Sequence, residues 1–187
     1  KIAAYGQLFF WVNKHMNYYW YYPSTVTQVA EHESHVSWND EATGFSSIKH
    51  SDSRYITTSK DLLHIATFDG HDIKMKTYYL YLTDFKIQSV PNEITGLEVE
   101  ISVRRGGRIT DDTIQLMHNG EFIGENLANF DLNPVKQYGG LADSWRTTLS
   151  KSVIEDSSFG VGIRFKSHPS WPHRESPKLD YVRLRVW

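Results

Sequence analysis

The densest cluster of side chains that could bind a metal ion is His32-Glu33-Ser34-His35, in a chain with nine histidines. Zinc and nickel sites use imidazole ligands, and two histidines three residues apart would share one face of a helix. The surrounding segment is polar and contains Gly44 with several serines and asparagines, which predicts a loop. No third or fourth ligand can be placed beside the pair, so we predict solvated loop histidines, no metal and no cofactor.

Two acidic clusters could carry acid–base chemistry. Asp69-Gly70-His71-Asp72 has the composition and spacing of a hairpin turn. Asp111 and Asp112 are adjacent, and in an extended chain their side chains point to opposite faces. Glycosidases need two carboxyl groups about 5–10 Å apart across a cleft. Nucleophile-elbow, Walker A and zincin motifs are also missing from the sequence. We therefore predict no catalytic residues and a protein that is not an enzyme. A hydrolase is kept as the hypothesis that ranks third, after the two non-enzymatic functions given at the end of this subsection.

Composition excludes several further classes of function. The 187 residues carry a net charge of -2, which gives no overall attraction to nucleic acid or anionic lipid. The small basic turn of Arg104, Arg105 and Arg108 is predicted to face water. No cysteine is present, which removes disulfides, thiolate metal sites and cysteine nucleophiles. The apolar stretch 2–12 is shorter than the roughly 18–20 residues of a membrane span, so neither a membrane nor a nucleic acid is an expected partner.

Alternating patterns predict an antiparallel β-structure around these residues. Leu97, Val99, Ile101 and Val103 alternate with polar residues, which predicts a half-buried strand whose Glu98 and Glu100 face water. Asn119-Gly120 predicts a tight hairpin. Further strands are predicted over 25–30, 55–58, 60–68, 78–87, 113–117, 145–149, 159–165 and 179–186. Many short strands with turn signals between them predict an all-β, jelly-roll-like sandwich.

An aromatic-rich segment precedes these strands, and Pro23 ends it. The predicted organisation is therefore an N-terminal arm over residues 1–22 and a β-sandwich domain over 23–187. The arm either supplies edge strands that pack on its own domain or packs on a neighbouring subunit, which would bury its exposed aromatic surface. The candidate subunit-contact residues are Phe9, Phe10, Trp11, Tyr18, Tyr19, Trp20, Tyr21 and Tyr22.

Several motifs in residues 25–187 occur in an order that resembles a β-sandwich domain of tailed-bacteriophage virion proteins, including tail, neck and capsid-decorating components. The matching segments are Trp38-Asn39-Asp40-Glu41-Ala42, Asp52–Thr57, Leu82–Ile87, Ile94–Ile101, Tyr138–Trp145, Phe159–Val161 and Leu179–Val186. One departure is visible, because Arg146 follows Trp145 where the family usually has glycine.

The resemblance implies a non-enzymatic structural component located in the virion, in the capsid decoration, neck or tail. Its partners would be other virion proteins and further copies of this chain, in a symmetric oligomer. The alternative is a carbohydrate-binding or receptor-binding module at a virion tip that binds a host surface glycan. Its candidate ligand-binding residues are Trp38, Trp171 and His173, since aromatic faces suit the C–H surfaces of sugars.

Overall fold

The computed structural model describes residues 19–31, 36–39, 45–49, 55–59, 62–66, 72–88, 90–104, 109–129, 133–167 and 174–187. These residues form mostly antiparallel strands in two sheets that pack together, which confirms the predicted all-β sandwich. The jelly-roll connectivity stays a prediction. So does the boundary between arm and domain.

The chain order of the elements is as follows. The strands are β1 (Thr25–Val29), β2 (Ile56–Thr57), β3 (Leu62–Ala66), β4 (Asp72–Lys74), β5 (Tyr79–Thr83), β6 (Leu97–Arg104), β7 (Ile109–His118), β8 (Glu121–Ile123), β9 (Val135–Gly139), β10 (Gly160–Ser167), β11 (Arg174–Glu175) and β12 (Lys178–Val186). A 3₁₀ turn covers Ser46–Lys49, and the short helix α1 covers Lys151–Ile154.

The strands form two main sheets and one small one. The five-stranded sheet has the order β1-β5-β10-β7-β8, and the four-stranded sheet has the order β2-β12-β6-β9. A further sheet has the order β11-β3-β4. The alternating apolar residues of the long strands, among them Leu80, Val99, Ile163 and Leu184, are fully buried. Period-two patterning thus places one face of each of these long strands in the shared core.

Trp145 explains one of the two glycines in the segment before it, Gly139. Its indole is fully buried, and its Nε1 donates to the carbonyl oxygen of Leu97 over 2.9 Å. Gly139 lies against this ring with φ of 77°, and a Cβ atom there would overlap both the indole and that carbonyl oxygen. The glycine is therefore required for the close approach of β9, the indole and β6.

The predicted Asn119-Gly120 hairpin is confirmed. It joins β7 to β8 through a two-residue loop in which both residues have positive φ, 54° for Asn119 and 80° for Gly120. Both angles belong to a type I′ turn, whose twist matches that of the flanking strands.

Other strand boundaries differ from the sequence prediction for identifiable reasons. The predicted strand 78–87 ends at Thr83, because Asp84 and Lys86 adopt φ of 56° and 52°, which no strand accommodates. The predicted strand 113–117 begins earlier, at Ile109. The predicted strand over 145–149 is not formed, since Trp145 lies in a turn.

Candidate functional site

The described end of the aromatic segment lies against the last strand of its own domain. Tyr21 pairs with Leu184 of β12 through two backbone hydrogen bonds, of 2.8 and 2.9 Å. The Tyr21 hydroxyl donates to the carbonyl oxygen of Gln88 over 2.7 Å. Strand β2 covers this edge of β12 only at Lys178 and Leu179, so Tyr21 covers a part of the edge that β2 leaves open.

Next to Tyr21, the indole of Trp20 stacks on two arginines of β12. The guanidinium carbons of Arg183 and Arg185 lie 4.3 and 4.4 Å from its ring centroid. Arg185 also lies 4.2 Å from the ring of Trp187. Such contacts combine attraction between a cation and the ring with the stacking of two flat groups. We call this surface the arginine–aromatic face; it comprises Trp20, Tyr22, Tyr181, Arg183, Arg185 and Trp187.

The arginine–aromatic face covers two carboxylates of β6. Arg183 lies opposite Glu100 and Arg185 opposite Glu98 in the strand register, with N–O distances of 2.6 and 2.7 Å. Both glutamates are only 5% exposed, so the prediction that they face water is wrong. Cross-strand charge pairing takes the place of water at the Glu100 Oε1 and the Glu98 Oε2.

Tyr181 completes the set of hydrogen bonds on this face. Its hydroxyl donates to Glu100 over 2.8 Å, and its ring makes an edge contact with Tyr22 at 6.3 Å. Burial, followed by the hydrogen bond to Glu100, raises the pKa of Tyr181 to about 12. The hydroxyl therefore stays protonated at neutral pH and remains a hydrogen-bond donor to the glutamate.

Of the remaining sequence-predicted site residues, the structure describes Tyr19 and Trp38. Tyr19 is 62% exposed. Trp38 is 2% exposed, donates from Nε1 to the carbonyl oxygen of Tyr78 and packs edge-on against Phe165. Its position in the core corrects the sequence-based choice of this residue for ligand contact, because no face of the indole is open to a sugar. Outside the described residues lie Phe9, Phe10, Trp11, Tyr18, His32, His35, Asp69, His71, Trp171 and His173.

A second aromatic cluster, which the sequence analysis did not single out, lies on the outer face of the five-stranded sheet. The rings of Tyr79, Tyr81 and Phe122 lie 5.4 to 5.8 Å apart. Gly162 makes room for it, since a Cβ atom there would overlap the Phe122 ring. The alternation of tyrosine and leucine in β5 was the available signal, because buried Leu80 and Leu82 force the tyrosines outward.

A charged cluster adjoins this aromatic face. Asp112 accepts from the Nε of Arg164 over 2.6 Å and lies 3.1 Å from the Nζ of Lys166. Arg164 also stacks on the ring of Tyr79 at 4.1 Å. Aromatic rings beside polar groups in fixed geometry are typical of sites that bind small polar ligands.

A cavity of about 270 Å³ lies between residues 84–88 and 154–157. Asp84 in its wall forms an ion pair with Lys86 at 2.8 Å. Asp156, also in the wall, accepts hydrogen bonds from Ser158, and these lower its pKa. A general acid near neutral pH needs a raised pKa, so Asp156 is not suited to that role.

In the described part of the chain, no group of three or more metal-ligating side chains could hold an ion. No helix among the same residues is long and apolar enough to span a membrane. No protein-family model, curated protein or solved structure matches the chain.

Proposed function

We propose that this protein is a non-enzymatic structural component of a tailed-phage virion, in the capsid decoration, neck or tail, and that it works through contacts between subunits. Other virion proteins and further copies of the chain are its partners. The jelly-roll-like connectivity and the virion location belong to the same proposal. The order of the motifs in residues 25–187, which resembles that of tailed-phage virion proteins, supports the assignment to a virion.

The observation that carries the subunit-contact role is the attachment of Trp20 and Tyr21 to β12. This attachment fixes the point at which the N-terminal segment meets the domain. The next residue towards the N-terminus, Tyr19, is 62% exposed. The sequence further upstream contains Phe9, Phe10 and Trp11, and apolar side chains of this size need a surface to cover them. In our proposal a neighbouring subunit provides that surface.

Sedimentation equilibrium of the full chain tests the role. The wild-type chain is expected to form a discrete oligomer. A variant with Phe9, Phe10 and Trp11 replaced by serine is expected to be monomeric with an unchanged unfolding transition, because the attachment at Tyr21 is retained. A wild-type chain that stays monomeric at every concentration tested contradicts the proposal.

A matched control removes apolar surface elsewhere on the domain. Val135 and Leu141 are 46% and 57% exposed, and replacing both with serine should leave the oligomer intact. If this variant dissociates as completely as the arm variant, the arm has no specific role.

A carbohydrate-binding or receptor-binding module is the second candidate, and the aromatic cluster of Tyr79, Tyr81 and Phe122 is the observation that favours it. The partly exposed rings of Tyr81 and Phe122 pack against the buried ring of Tyr79, and Asp112 and Arg164 lie beside them, so apolar surface and polar groups lie together. In this second candidate function, the aromatic cluster replaces buried Trp38 as the proposed glycan-binding surface.

Glycan-array binding distinguishes the two candidates. A glycan module should lose binding in Tyr81→Ala and in Phe122→Ala but keep it in Trp38→Phe, which changes only the core. If the wild-type chain binds no glycan, or if the substitutions on the sheet face leave binding unchanged, this second candidate is excluded.

A further inference from the structure

A lysine and an aspartate connect the two sheets inside the sandwich. Asp111 belongs to β7 of the five-stranded sheet and Lys136 to β9 of the four-stranded sheet. The Lys136 Nζ lies 2.6 Å from the Asp111 Oδ2, and the two side chains are 2% and 0% exposed. The predicted opposite orientation of the two aspartates is confirmed, since Asp112 faces the outside of the same sheet.

A third polar group also belongs to this site. The Tyr138 hydroxyl donates to the same Oδ2 over 2.6 Å. The Nζ of Lys136 lies 5.3 Å from the centre of the Tyr138 ring and also donates to the carbonyl oxygen of Asn129 over 3.3 Å. Amine, carboxyl and hydroxyl groups therefore meet in a space that water does not reach.

A buried ion pair loses most of the hydration of its two charges. One proton transfer within the pair removes both charges. Transfer of one proton from Lys136 to Asp111 leaves a neutral amine beside a carboxylic acid. These are the two forms that react with each other to give an amide.

We propose that Lys136 and Asp111 condense into an intramolecular amide bond that joins the two sheets covalently. The Lys136 Nζ lies 2.6 Å from Oδ2, and Oδ2 is bonded directly to Cγ, the atom that the nitrogen would attack. Held at this distance without competing water, the two groups react as parts of one molecule, with a large gain in effective concentration.

The step balances without a cofactor or an oxidant. After the first proton transfer, the nitrogen lone pair attacks Cγ of Asp111 and the Nζ–Cγ bond forms. The Tyr138 hydroxyl gives its proton to the Oδ2 hydroxyl and takes a second proton from the nitrogen. The Cγ–Oδ2 bond breaks, one water leaves, and Tyr138 returns to its starting state. Lys136 and Asp111 are thus the reacting residues, and Tyr138 is the proton relay.

The sequence offers a direct test, because Asn119-Gly120 is its only Asn-Gly bond and lies between the two residues. Hydroxylamine in denaturant cleaves such a bond and leaves ordinary amides intact. The wild-type full chain should be lighter than its sequence mass by one water. After hydroxylamine treatment its two fragments should stay joined on a denaturing gel. In a trypsin digest, residues 109–146 should appear as one peptide uncut after Lys136 and lighter by one water.

Three variants of the full chain define the reaction. Lys136→Arg keeps a cation but cannot condense, so it should show the full mass and separate into two fragments. Tyr138→Phe should acquire the bond several-fold more slowly in a time course of intact mass after expression. Lys166→Arg is the matched control, because it alters the exposed ion pair with Asp112 and should leave the wild-type result unchanged.

The wild-type measurement decides the proposal even if the Lys136 variant does not fold. A wild-type chain with its full mass after prolonged incubation overturns it. So does a chain lighter by one water whose fragments separate, since the water was then lost elsewhere, as in a succinimide. Equal rates for Tyr138→Phe and the wild type overturn the relay role of the hydroxyl.

Discussion

Replacing Trp20 with alanine should destabilise the folded domain, because Trp20 stacks on its own sheet. The ring lies 4.3 Å from the Arg183 guanidinium carbon and 4.4 Å from that of Arg185. Each cation–π contact contributes about 0.5–1 kcal/mol at partly exposed positions, so the loss of both is expected to cost about 1–2 kcal/mol. Trp20→Phe, which keeps a smaller ring, should lose roughly half of this amount.

Urea unfolding followed by circular dichroism measures this cost. Tyr19→Ala is the matched control, because Tyr19 is 62% exposed and its loss should stay within about 0.5 kcal/mol of the wild type. The wild-type slope of free energy against urea should be retained, since the domain still unfolds as one unit. If Trp20→Ala is as stable as Tyr19→Ala, the stacking does not hold the segment on β12 and the reasoning fails.

Three further predictions concern backbone and pH. Gly120→Ala should lower the free energy of unfolding by about 1–2 kcal/mol, because alanine is strained at its left-handed φ. Gly139→Ala should lower it clearly more, since the added Cβ also overlaps neighbouring atoms. Thermal unfolding of the two variants tests this order. Arg146 has φ of 50°, so Arg146→Gly should raise the free energy of unfolding by up to about 1 kcal/mol. A less stable variant would contradict the inference that the backbone is strained at Arg146. The pKa of Tyr181 is raised from 10.0 to about 12, so its contribution is fully present below pH 10 and is lost as the pH rises from 10 to 12. Unfolding measured across that range should show this loss in the wild type and a smaller loss in Tyr181→Phe.

The fold was predictable where one local rule decided the outcome. The alternation in Leu97–Val103 gave the correct strand, and Asn119-Gly120 gave the correct turn. Arg146 stands where the resembled virion proteins usually have glycine. Its positive φ is the conformation that glycine adopts without strain. These features depend only on neighbouring residues.

The candidate sites were less predictable because they join residues far apart in the sequence. Arg183 lies opposite Glu100 only once β12 pairs with β6, and period-two alternation alone places both side chains in water. Lys136 and Asp111 come from different sheets and meet only when the sandwich closes. A pattern read along one strand carries no information on such partners.

We propose that the aromatic arm is an assembly element on a domain that folds without it. Light scattering coupled to gel filtration should be applied to the full chain and to a chain that begins at Pro23. The account predicts an oligomer for the full chain and a folded monomer, somewhat less stable, for the shorter chain. Two stable monomers, or two oligomers of the same order, would contradict it.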